Sequence, residues 1–418
     1  MNKRETVIKD QLKTSPEFIV QSLESQISSK FHEFQEISFF NHKKVALAFK
    51  ELKVGTEHFV ATSGYGHDDI GREKFDQVFA KIFNAEAGLA RVNFVSGTHA
   101  IACAILGNLK PKDEIVFALD RPYDTLDSLI NYLEKDLQVK VKIIDHENWL
   151  DFGEVIETVT SSLTKDTSMV CIQRSRGYSA NRPSVNINQL QELIQSIKSI
   201  NPETICFVDN CYGEFVEKQE PSDVGADLVA GSLIKNPGGG IVLTGGYVVG
   251  RKSLIDNTAN RLTCPGIGSE GGPNFNQGRL LFQGLYMAPL IVLEILKGSL
   301  LTSKVCEYLS IQSLPGSQDS RTDTILRLDL KSKERLLSFC KLLQENSPVD
   351  SHLTPFPDNT PGYSDELIMA AGTFIEGSTS ELSADGPIRE PYSVYLQGGL
   401  SYLYTKIFLE KLIEKFEN

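Results

Sequence analysis

The sequence predicts an α/β protein, with a mostly parallel sheet in a large domain and a smaller α+β domain at the C-terminal end. Three observations lead there. Short apolar runs recur at 92–95, 115–119, 141–144, 169–172, 205–208 and 228–230, with helix-compatible segments between most of them. From about Lys304 that rhythm gives way to a different order of strands and helices. The 418 residues, 41% hydrophobic and 23% charged, supply the core of a globular chain with room for two or three domains of about 150 residues.

The elements follow in chain order. Ser15-Pro16-Glu17 opens a helix with a capping hydroxyl, a proline at the first position and an acid in the first turn. Ile19, Leu23, Ile27 and Phe31 then recur every four residues on one helical face. The six apolar runs are read as strands, and 100–106 as the helix after the first of them. Glycines at 238–240 and 245–246 mark a loop. A long helix spans 276–299, which Pro289 is expected to kink or split. A strand at 324–330, a helix at 333–345, a strand at 367–374 and a closing helix at 402–416 complete the chain. The expected organisation is an N-terminal helical segment (1–50), a large domain (51–275), and a linking helix with the smaller domain (276–418).

Composition narrows the function. The formal net charge of −12 argues against nucleic acid as a partner. The most apolar stretch, 280–296, is interrupted by Gln283 and Glu294, so no membrane association is expected. The first residues lead into no apolar signal segment. Seven cysteines without a CxxC pair read as reduced thiols, and the expected location is the cytoplasm. No metal site is expected, because His67 and His99 are isolated histidines without ligand spacing.

In mostly parallel sheets ligands sit beyond the carboxyl ends of the strands, so the residues just after each run matter most. Ser96-Gly97-Thr98-His99 opens a helix with two hydroxyls, a glycine and free backbone N–H groups. That suits a phosphate, and it equally suits an ordinary capping turn. Asp209 ends a strongly apolar run and is either a helix cap or a buried carboxylate holding a positive partner. Lys235 lies in apolar, glycine-rich sequence, three residues after Ser232. It is either solvated or a desolvated nucleophile that forms a Schiff base. Tyr123 could stack on a planar ring, act as an acid, or be a turn tyrosine. In chain order these make a phosphate loop, an aromatic, an aspartate and a serine beside a lysine, which is the set that pyridoxal phosphate needs.

The segments Gly64-Tyr65-Gly66-His67-Asp68-Asp69-Ile70-Gly71-Arg72, Ser96-Gly97-Thr98-His99-Ala100-Ile101, Asp209-Asn210-Cys211-Tyr212-Gly213-Glu214-Phe215 and Ser232-Leu233-Ile234-Lys235-Asn236-Pro237-Gly238-Gly239-Gly240 resemble the methionine gamma-lyase-like family. This group is also labelled aluminium-resistance protein or, provisionally, cystathionine beta-lyase. It belongs to the pyridoxal phosphate enzymes of Cys/Met metabolism. The resemblance runs on through Ser269-Glu270-Gly271-Gly272, Ile388-Arg389-Glu390-Pro391-Tyr392 and Tyr395-Leu396-Gln397-Gly398-Gly399-Leu400, and so spans nearly the whole chain.

The resemblance implies the pyridoxal-phosphate-dependent transferase fold, of aspartate aminotransferase fold type I. It makes Lys235 the lysine that holds the cofactor's aldehyde and the general base at Cα. Asp209 becomes the pyridine partner and Ser232 a phosphate ligand. Ser96, Gly97 and Thr98 form the phosphate loop, and Tyr123 stacks on the ring and takes part in catalysis. Tyr65 is lent to the neighbouring subunit's phosphate, and Arg389 binds the substrate carboxylate unless it pairs with Glu390 or Asp385. Arg174 and Arg176 could touch the cofactor or substrate, or be solvated.

Two departures leave the substrate open. Tyr65 is followed by Gly66-His67 where characterised lyases carry Ser-Arg, and no cysteine follows Tyr123 closely. The function implied is a pyridoxal phosphate carbon–sulfur lyase, by beta- or gamma-elimination, acting on a sulfur amino acid such as cystathionine, cysteine or methionine. A small amino acid is the expected partner, in a homodimer or homotetramer with shared active sites. The rivals are an aminotransferase, a gamma-replacement enzyme, or a non-catalytic protein linked to metal tolerance.

Overall fold

The computed structural model describes residues 15–417 apart from 180, 181, 361, 362 and 364. The part of the N-terminal segment before Ser15 therefore lies outside the described residues.

Helix α1 (Pro16–Glu51) starts where the sequence places it, with the Ser15 hydroxyl accepting from the Phe18 N–H at 3.2 Å. Its buried face, including Ile19, Leu23, Ile27 and Phe31, lies on α8 (Gly278–Tyr308). Helix α8 runs through Pro289 without a break, so the expected split does not occur. Proline removes one N–H, but its carbonyl stays bonded, accepting from Ser38 Oγ at 2.9 Å. Helix α8 is long and apolar enough by composition to cross a membrane, yet much of it is core, with Leu285, Val292, Ile295 and Leu300 buried.

The large sheet has the order β1 (Ala87–Arg91), β7 (Gly246–Gly250), β6 (Leu228–Ser232), β5 (Ile205–Asp209), β4 (Thr167–Gln173), β2 (Glu114–Phe117) and β3 (Lys140–Ile143). Only β7 runs against its neighbours. Helices α2 (Ile70–Ile82), α3 (Gly97–Asn108), α4 (Asp127–Lys135), α5 (Phe152–Ser162), α6 (Ile187–Ile200) and α7 (Lys252–Leu262) flank it. Fully buried Val116, Val170, Val208 and Val229 fill one side of the sheet, and Ile115, Met169, Phe207 and Leu228 fill the other. That two-sided burial is why these strands read as continuous apolar runs.

Two expectations move. The strand expected at 92–95 is a loop, and β1 lies just before it. The small residues of β1 pack closely on α2, while Phe94 of the loop is still fully buried, so burial without pairing produced the apolar run. Strand β7 was not expected: only Gly246, its first residue, falls in the glycine-rich stretch, and 247–250 carried no assignment.

The second sheet is antiparallel, ordered β10 (Leu367–Ala370), β11 (Ser383–Pro387), β12 (Ser393–Gln397), β9 (Leu326–Asp329) and β8 (Gln312–Leu314). Helices α9 (Lys333–Glu345) and α10 (Tyr402–Phe416) match the predicted ranges, while β9 and β10 are shorter than the runs that announced them.

Candidate active site

The register of the large sheet sets Gln173, at the end of β4, beside Asp209, at the end of β5. Asp209 is buried, only 2% exposed. Its Oδ1 accepts from the Cys211 N–H at 3.1 Å, while Oδ2 has no hydrogen-bond partner among the described residues. Burial pushes the Asp209 carboxyl above the usual carboxylate range, against the pull of the Cys211 N–H and the nearby Lys235 charge.

Beyond β6, Lys235 places Nζ 3.5 Å from the ring centroid of Tyr212. Tyr212 holds a left-handed backbone, φ +74°, which a bulky residue keeps only when its surroundings enforce it. Here its carbonyl accepts from Asn236 Nδ2 at 3.0 Å and from the Thr324 N–H at 3.2 Å. The second bond comes from the segment leading into the small domain, and Ser380 Oγ adds another at 3.2 Å to the Lys235 carbonyl. Burial alone would lower the Lys235 ammonium. Tyr212, Cys211 and Asp209 together outweigh it and hold the amine above the ordinary lysine range, so the loss of basicity expected from desolvation is overridden. Burial also lifts the Tyr212 phenol to about 12.

The phosphate-loop residues meet Ser232 directly. A Cβ built on Gly97 would lie 2.8 Å from the Ser232 Cβ, so only glycine permits this approach. Ser96 caps α3, its hydroxyl accepting from the His99 N–H at 3.1 Å. That leaves the first amides, Gly97 and Thr98, as those a helix start offers to an anion. His99 itself is structural, its Nδ1 accepting from the Val95 N–H at 3.2 Å. Tyr123 is fixed by its N–H to Gln173 Oε1 at 3.0 Å. Its phenol is buried and has no partner among the described residues, and burial raises it well above the ordinary tyrosine range.

Tyr65 does not join this group within the chain. It is 83% exposed and stacks on His67. Arg72, the arginine nearest to it, is buried and spends its guanidinium on the carbonyls of Gly66, Gly272 and Glu270.

The remaining arginines separate. Arg174 is committed to Asn210 Oδ1 at 2.8 Å, the Gly213 carbonyl at 3.0 Å and Glu217. Arg176 and Arg389 line one cavity of about 340 Å³ with Tyr123, Gln173 and Tyr178. Arg389 is half-exposed. It pairs with Asp365 at 2.7 Å, not with Glu390 or Asp385, and donates to the Tyr178 carbonyl at 3.3 Å. Asp385 instead accepts from Tyr178 Oη at 2.9 Å and Gln397 Nε2 at 3.0 Å.

Sequence reasoning gave no role to several residues here. Arg182, fully buried, ties the ends of β2 and β4 by donating to the carbonyls of Leu119, Gln173 and Ser175. Burial lifts the Glu214 carboxyl to about 8, although Tyr247 Oη donates to it at 2.8 Å. Its stabilising contribution is therefore whole below 4.5 and lost as pH rises through about 8. Glu214 and Tyr212 both sit in the segment after Asp209, which was the available signal.

The family profile described as "Methionine gamma-lyase" matches residues 17–417. The chain belongs to the methionine gamma-lyase family. Among solved structures, this member is similar to a Listeria monocytogenes protein provisionally called a cystathionine beta-lyase involved in aluminum resistance. That likeness has TM-score 0.91 and 43% identity, over 95% of this chain and 99% of the other. It is also similar to a carbon-sulfur lyase involved in aluminum resistance from Clostridium novyi NT, with TM-score 0.89 and 38% identity over 99% of both chains. Among curated proteins, it is 43% identical to the uncharacterized protein YnbB of Bacillus subtilis, over 92% of both chains. The architecture is fold type I, that of the pyridoxal-phosphate-dependent transferases, and the family makes the chain lyase-like.

The residues present fit that cofactor. The unpartnered Asp209 Oδ2 suits a pyridine N–H, the start of α3 beside Ser232 suits a phosphate, and Lys235 supplies the amine.

Proposed function

We propose that this protein is a pyridoxal-phosphate-dependent carbon–sulfur lyase acting on a sulfur amino acid such as cystathionine, cysteine or methionine. The observation that carries it is the buried Asp209 carboxylate with one free oxygen, close enough to feel the charge of Lys235. When bound, pyridoxal phosphate supplies the electron sink for the charge left when Cα loses its proton. Lys235 would hold the aldehyde, and its Nζ is the group that would take the Cα proton. Asp209 keeps a proton on the ring nitrogen. Ser96, Gly97, Thr98 and Ser232 hold the phosphate. Tyr123 stacks on the ring and carries a proton near Cβ. The products are a thiol, a 2-oxo acid and ammonium, with one water consumed in a β-elimination.

The test incubates the holoenzyme with each amino acid and no amino acceptor. Release of 2-oxo acid and ammonia together supports the lyase. A 2-oxo acid that appears only with an acceptor present makes the protein an aminotransferase.

The proposal includes a homodimer or homotetramer that shares active sites, and a cytoplasmic location supported by seven free cysteines. Tyr65, Val60 and Phe275 are exposed on segments that Asn274 and the Gly272 N–H tie together beside the loop after β1. An apolar strip at that place fits a second copy that takes Tyr65 to its own phosphate. Tyr65→Ala and Lys235→Ala chains are each expected to be nearly inactive. Mixed, they should regain activity in hybrids that carry one intact site. Hybrids shown to form without regaining activity would mean that each site comes from one chain.

A further inference from the structure

Arg176 differs from the other buried arginines. Arg91 pairs with Asp76 at 2.6 Å, Arg327 Nε donates to Asp329 at 2.8 Å, and Arg174 and Arg182 are bonded as described. Arg176 is only 4% exposed, and its Nε and Nη1 have no partner among the described residues. The carboxylate with the largest influence on it, Asp323, is already engaged by Ser175 Oγ at 2.7 Å, by Ser184 Oγ and by the Ile325 N–H at 3.0 Å. The Arg176 backbone N–H is fixed by Ser184 Oγ at 3.1 Å, so the side chain leaves a braced loop and lines the cavity that holds Tyr123. A buried guanidinium without a partner is costly, and an incoming carboxylate would satisfy it with charge-assisted hydrogen bonds.

We infer that Arg176 takes the α-carboxylate of the substrate, the task the family resemblance gives to Arg389. Arg389 stands half-exposed at the same cavity with its charge answered by Asp365. The inference rests on the proposed function only in requiring an amino-acid substrate.

The test uses the holoenzyme and two probes, glycine and methylamine, which differ by the carboxylate alone. Glycine has no β-carbon and therefore nothing to eliminate, so binding is read from the cofactor's absorbance without turnover. Wild type should bind glycine about 100-fold tighter than methylamine. Arg176→Gln should bring glycine down to the methylamine level without weakening methylamine, and Arg176→Lys should restore part of the preference. Arg389→Lys should keep it. The melting temperature of cofactor-free Arg176→Gln should be no lower than that of wild type, because the burial cost of the charge is removed while Nε and Nη1 have no hydrogen bond to lose among the described residues. A preference kept in Arg176→Gln, or lost in Arg389→Lys alone, overturns the assignment. So does a wild type with no preference. If wild type releases no ammonia from any sulfur amino acid, the lyase reading fails, and the binding ratio still decides the role of Arg176.

Discussion

Lys235→Ala is expected to lower turnover by at least about 10⁴-fold, because one substitution removes both the group that holds the aldehyde and the base at Cα. The acids around Lys235, Asp209, Glu214 and Asp385, are all pushed up by burial, and none is an amine. The fold should survive, since the nearby Tyr212 carbonyl and the Lys235 carbonyl are held by Asn236 and Ser380 rather than by the amine. Borohydride reduction of the yellow wild-type protein followed by peptide mapping checks the assignment. The cofactor should be found on the peptide that contains Lys235. Attachment to another lysine, or no visible band on adding cofactor, would remove the basis of the proposed function.

Asp209→Asn is expected to cost about 3–5 kcal/mol in the reaction, roughly 10²- to 10⁴-fold in turnover, the range for breaking a buried ion pair. Asparagine still accepts a hydrogen bond at Oδ1 but cannot hold a proton on the ring nitrogen. Without cofactor the same variant should not be destabilised at neutral pH. A carboxyl raised by burial stabilises the fold at low pH and loses that contribution as pH rises through its folded value, whereas asparagine has nothing to lose. Calorimetry of the cofactor-free protein and kinetics of the loaded protein therefore separate the two effects. Near-normal turnover would mean that another group faces the ring nitrogen.

Sequence carried the chemistry of the centre better than its surroundings. Asp209, Ser232 and Lys235 were legible because charged and hydroxyl groups after apolar runs are unusual wherever the runs turn out to be strands. Arg389 lines the cavity beside Tyr123, but its pairing with Asp365 depends on how two segments of the small domain meet. The left-handed backbone of Tyr212 was not legible, since its cause lies in bonds from residues 236 and 324. Buried arginines are the hardest case. Arg174 and Arg176 are two residues apart and both buried, yet one is saturated with partners and the other is not. Neither composition nor spacing encodes that difference.

Helix α1 contributes no reacting group, yet its buried Asn41 donates from Nδ2 to the carbonyls of Phe215 and Glu217, 3.0 Å each. Those carbonyls lie within the loop that follows Asp209, and Glu217 is also the partner of Arg174. The loop after Asp209 is thus tied to α1 and is not expected to unfold independently of it. Loosening α1 from its seat on α8 frees two carbonyls in the interior, and the loop must either find new donors or open with the helix. In hydrogen-exchange terms the amides of 211–217 and those in the middle of α1 are expected to open together, as one cooperative unit. A chain trimmed into α1 would lose ordering at the catalytic centre before it lost the sheet.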